Sequence, residues 1–143
     1  MNDETIHLLE TSFAEVAAIR EPAAALFYER LFANDPSLRS LFGGADMKAQ
    51  GQKLMAALGF VVGGLRKPAT VVPTLESLAI RHLDYGVRDS HYTTVGTALI
   101  ETLALSFGAR FTPELRKAWT EAYDLVSTIM REAAVRSRAP AVA

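Results

Sequence analysis

The sequence predicts an all-α fold. Apolar residues recur at helical spacing along most of the chain, and no stretch alternates with the period of a half-buried strand. Proline, glycine and Asx residues cut the 143 residues into seven or so segments of unequal length. Helices of one regular bundle must match in length to share a core, so the inequality argues for a less regular packing.

Residues 4–19 carry Ile6, Leu9, Phe13 and Val16 on one face, behind Asn2 or Asp3 as cap. "EPAAALFYERLF" places Pro22 in a first helical turn and runs to about Ala33, aligning Ala24, Phe27, Tyr28 and Leu31. Asp35-Pro36 reads as a cap followed by the first residue of a short helix, "SLRSLF", which "GGAD" then breaks. Asp46 caps a helix from Met47 to about Leu65 whose stripe is Gln50, Leu54, Ala57, Leu58, Val61 and Leu65.

"RKPATVVP" is a link, and Thr74 to about Tyr85 is a shorter helix with Leu75, Leu78, Ala79 and His82 aligned. "GVRDS" interrupts the chain before a long helix from His91 to about Phe107. Thr112-Pro113-Glu114 starts a final helix to about Arg136, with Trp119, like Phe13, as core. One domain is expected over residues 1–136, with 137–143 a frayed tail.

Composition excludes several classes of function. A net charge of −1 gives no pull toward nucleic acid or an anionic membrane. With no cysteine there are no disulfides and no thiolate metal sites, as suits a reducing compartment. "MNDETIHLLE" is acidic where a secretory signal is basic. The longest apolar run, "LMAALGFVVGGL" at 54–65, is too short to cross a bilayer. A cytoplasmic protein, as monomer or homodimer, is expected.

Three polar residues stand on stripes that should turn inward: Tyr28, Gln50 and His82, on three different helices. Each must find a partner, because an unsatisfied buried polar group costs about 1–3 kcal/mol. Separate local solutions are available: water at the rim for the tyrosine, a helix end for the glutamine, a backbone carbonyl for the histidine. Zinc is poorly supported, since there is no HExxH and His82 and His91 lie nine apart. A hydrolytic triad lacks a nucleophile elbow. His7 and His91 carry no functional expectation. Periodicity ends at a helical protein with an unusual polar pocket.

Four segments carry more than periodicity: "LFYERLFANDPSLRSLF", "QGQKLM..LGFVV", "LAIRHLDYGVRDSHYTTVG" and "AWTEAYDLV". In order and spacing they resemble bacterial single-domain globins, akin to the haem domain of flavohaemoglobins, over about Thr5 to Arg131. The resemblance implies a globin fold around a haem pocket, with a short or absent helix between the third and fifth globin helices. It implies haem b held by His82 as proximal ligand, with Phe42 packed on the haem face. Tyr28 and Gln50 correspond to the distal tyrosine and glutamine, and Leu54 lines the same wall. Tyr92 matches a tyrosine of a proximal hydrogen-bond network.

The implied function is reversible binding of oxygen, and of NO and CO, with scavenging and a part in NO detoxification. A second reading is a nitric oxide dioxygenase served by an external flavin/NAD(P)H reductase, with Tyr28 and Gln50 as its catalytic pair. No phosphate-binding glycine motif for such a reductase stands in these residues. A third is a gas sensor or interaction module that keeps the fold without haem, against which the intact His82 argues. One departure is plain. Eleven residues after the tyrosine of "AWTEAY" the family has a glutamate, and here stands Ala134, with Glu132 about 200° around the helix. Peroxidase-like O–O cleavage is therefore not expected.

Overall fold

The computed structural model describes residues 1–138, and these are helical with short links. Six α-helices form: α1 (Asp3–Ala18), α2 (Arg20–Asn34), α3 (Met47–Gly64), α4 (Val72–Asp84), α5 (Asp89–Phe107) and α6 (Pro113–Arg138). A seven-residue 3₁₀ helix, Pro36–Phe42, stands between α2 and α3. No helix among the described residues is long and apolar enough to cross a membrane.

Short polar side chains set four of the helix starts. Asn2 Oδ1 accepts the Thr5 N–H at 2.8 Å, Asp35 Oδ1 the Ser37 N–H at 3.1 Å, and Asp46 Oδ1 the Lys48 N–H at 3.0 Å. Thr112 Oγ1 does the same for Leu115 at 3.2 Å. Helix α4 ends into Gly86, whose φ of +91° is open to glycine and strained for other residues.

Three boundaries differ from the sequence reading. Helix α4 starts at Val72, because Pro73 fits a first turn, where no N–H is needed. The expected link contains a 3₁₀ turn at Pro68–Thr70. Helix α5 starts at Asp89, and the His91 ring turns back so that Nδ1 accepts the Arg88 N–H at 2.9 Å. Helix α6 runs to Arg138, two residues past the expected end; the expectation of a frayed tail otherwise falls on 139–143, outside the described residues.

The core is continuous. Leu9, Ala79 and Ala98 are fully enclosed, with Leu103 and Trp119 beside them. Helix α2 packs on α5 and α3, α4 on α6, and α1 bridges α3 and α6. Helices α3 and α4 do not pack on one another to any comparable extent. Gln50 and His82, singled out above, stand on these two helices, and Tyr28 stands on α2.

Candidate functional site

The most buried positions of α3 are Gly51, Met55, Val61 and Val62. The expected stripe begins one residue earlier, and Gln50, Leu54, Ala57 and Leu58 are only half-buried. A register of one residue is about 100° of rotation. The first part of the expected stripe thus borders the core, while Val61 and Leu65 at its far end are buried as expected. His82 and Leu78 on α4 are likewise half-buried, as is Tyr28 on α2. All three polar misfits are thus half-buried, and none is enclosed.

His82 is held by its own helix. Its Nδ1 lies 2.8 Å from the carbonyl oxygen of Leu78, one turn back. A carbonyl only accepts, so Nδ1 carries the proton and Nε2 keeps its lone pair. No described group hydrogen-bonds Nε2. Burial lowers the affinity of the ring for a second proton, the Leu78 bond opposes this, and Arg81 adds to the lowering. The imidazole is thus held in one tautomer.

A metal ion here would lack protein company, because no cluster of three His, Cys, Asp or Glu suited to a metal occurs among the described residues. The His82 lone pair therefore suits a metal that brings its other donors with it.

Tyr28 sits in an aromatic group. Its ring meets Phe27 edge-on at 5.1 Å between centroids, Phe42 edge-on at 5.5 Å and Phe32 at 6.1 Å. Phe42 meets Phe32 at 5.5 Å, and the Arg39 guanidinium lies over Phe32 at 4.6 Å. Burial pushes the Tyr28 phenol up to about 12, so it remains a donor. Its hydroxyl donates to the main-chain carbonyl of Gln50 at 3.4 Å. That is a long bond near the limit of the interaction. The Gln50 side-chain amide is bonded by no described group.

The structure thus brings Tyr28, Phe42 and Gln50 together, with Leu54 one turn along the Gln50 helix. Tyr92 stands apart. It is buried on α5, its carbonyl accepts the Tyr123 hydroxyl, and no hydrogen bond joins it to His82. The aromatic ring beside the imidazole is Tyr85, at 6.2 Å between centroids. On α6, Ala134 is buried and Glu132 exposed, so no carboxylate stands at the departure noted in the sequence.

A backbone carbonyl was the expected local partner of His82, and it is that of Leu78. Phe32 escaped the sequence reading, although it had a signal, since it follows Tyr28 by one helical turn.

A family model described as Globin matches residues 25–130. The chain is 30% identical to a flavohemoprotein of Rhodopirellula baltica over 139 residues, which are 94% of this chain and 34% of that protein. It is 32% identical to a flavohemoprotein of Bordetella parapertussis, over 82% of this chain and 30% of that one. For a flavohemoprotein of Xylella fastidiosa the identity is 30%, over 92% and 34%. The chain spans about a third of the length of these curated relatives.

Proposed function

The chain belongs to the globin family, and from that premise we propose that it binds haem b through His82 and holds oxygen, or NO or CO, beside Tyr28 and Gln50. The observation that carries this reading is the Leu78–His82 hydrogen bond, which presents the Nε2 lone pair free, with no cluster of three His, Cys, Asp or Glu suited to a metal among the described residues. Haem, when bound, would bring the remaining donors of its iron with it and would supply the position at which a diatomic gas binds. The half-buried apolar residues Phe42, Leu54 and Leu58 suit contact with a flat apolar macrocycle.

The chain's part is to hold and orient. Leu78 fixes the imidazole. The Tyr28 hydroxyl gives up little on leaving a 3.4 Å contact, so it is ready to donate to a bound gas molecule. The free Gln50 amide is a second donor. A hydrogen bond to an acceptor bearing charge is worth about 1.5–3 kcal/mol, which slows escape by about ten- to a hundred-fold. Such retention suits scavenging of oxygen and removal of NO better than delivery.

Purified protein should show a Soret band that is lost in His82→Ala and regained with added imidazole. A folded His82→Ala protein with an unaltered spectrum ends this reading.

Dioxygenation of nitric oxide is the second reading, favoured by two donors around one gas site. Nitric oxide and oxygen combine to nitrate, and each turnover takes one electron from a flavin reductase fed by NAD(P)H. The name of these relatives, flavohemoprotein, agrees with flavin as the electron source. Nitrate produced over many turnovers with added reductase and NAD(P)H supports it; a single turnover leaves a binding protein. Peroxidase-like cleavage is disfavoured, because His82 donates to a neutral carbonyl and buried Ala134 offers no carboxylate.

A further inference from the structure

Helices α2 and α3 meet closely at one glycine. A Cβ added to Gly51 would lie 2.9 Å from the Cβ of Ala24, about half an ångström inside the shortest ordinary contact. Gly51 is buried in the interior of α3, where glycine lowers helix stability relative to alanine. The position therefore needs a reason other than helix formation.

The neighbours supply one. Ala24 lies one turn before Tyr28 on α2, and Gly51 directly follows Gln50 on α3. The hydroxyl of Tyr28 reaches the Gln50 carbonyl at 3.4 Å, with almost nothing to spare before the bond is lost. A parting of the helices by half an ångström would break it and draw the phenol away from the Gln50 side chain. We infer that Gly51 is a positioning residue: its missing side chain sets the α2–α3 separation at which Tyr28 and Gln50 address the same small ligand.

Packing makes the effect discrete. Both Cβ atoms would belong to helix backbones, and neither can rotate out of the way as a long side chain would. The same space can be kept by moving the methyl group from one helix to the other. Gly51→Ala alone closes it, and Ala24→Gly together with Gly51→Ala reopens it.

The assignment rests on the proposed gas site for its consequence, although the distance it sets exists without haem. The test is therefore twofold. Crystal structures of Gly51→Ala, Ala24→Val and the exchanged pair Ala24→Gly/Gly51→Ala read the Tyr28 Oη to Gln50 O separation, with or without haem. Both single variants should lose the hydrogen bond and the exchanged pair should regain it. In haem-loaded protein, Gly51→Ala should speed oxygen dissociation by about ten-fold, with no further gain when Tyr28→Phe is added. The exchanged pair should return to within about two-fold of the parent. A Gly51→Ala or Ala24→Val structure that keeps the hydrogen bond, or an exchanged pair as fast as Gly51→Ala, overturns the assignment. If the distances respond while the parent protein takes up no haem, the site reading fails and the positioning role stands.

Discussion

The indole Nε1–H of Trp119 donates to Ser12 Oγ at 3.0 Å, and that hydroxyl donates in turn to the Leu8 carbonyl at 2.7 Å. Ser12 and Trp119 are both buried, so this relay satisfies the only polar atom of the indole while joining α1 to α6. Ser12→Ala should cost about 1–3 kcal/mol in denaturant unfolding, since it strands a buried donor. Trp119→Phe made in the Ser12→Ala protein should cost less than Trp119→Phe made in the parent, because the stranded group is gone. Equal costs would show that the pair does not interact.

Tyr28→Phe should leave folding stability nearly unchanged, because the bond it removes is long and weak. Oxygen should nevertheless leave about ten- to a hundred-fold faster in a stopped-flow measurement. Gln50→Leu keeps the main-chain carbonyl and removes only the amide, so its effect on stability should also be small. An unchanged rate in Tyr28→Phe ends the donor role.

Phe42→Ala removes a ring packed on both Tyr28 and Phe32. The residue is half-buried, so the loss should be about 1–3 kcal/mol, below that of a fully enclosed phenylalanine. Transfer of haem to an apoprotein acceptor should accelerate as well. If stability falls while transfer stays constant, Phe42 is a core aromatic and nothing more.

Alkaline pH should weaken the fold in a defined way. Burial raises the Tyr28 phenol to about 12, and Tyr92 and Tyr123 are raised for the same leading cause. The unfolded chain ionises its phenols near 10 while the folded one retains the protons. Stability is thus complete below that pH and falls as the pH rises from 10 toward 12. Tyr28→Phe should make this decline shallower, by up to one proton. Urea unfolding at stepped pH measures the slope.

Most of the helical plan was legible because caps and breakers are local. Asn2, Asp35, Asp46 and Thr112 each cap where their side chains promised. The start of α4 was not, since Pro73 fits a link and a first turn equally well. Periodicity marked Tyr28, Gln50 and His82 as unusual, and only the four-segment resemblance linked them to one another. Periodicity could not tell that the first part of the α3 stripe is half-buried while Val61 and Leu65 are enclosed. A carbonyl partner for His82 was expected, but its identity as Leu78, and the pairing of Tyr28 with the Gln50 main chain, lay beyond it, because backbone acceptors leave no mark in composition.

Helices α3 and α4 scarcely pack on one another, so a guest that bridged them, as the proposed haem would, becomes part of the tertiary structure. Whatever binds both walls joins segments that the polypeptide itself leaves apart. Uptake and folding are then one linked equilibrium, in which each ten-fold excess of guest over its dissociation constant adds about 1.4 kcal/mol to the folded state. Cofactor supply would consequently govern how much of this protein survives in a cell, before it governs what the protein does there.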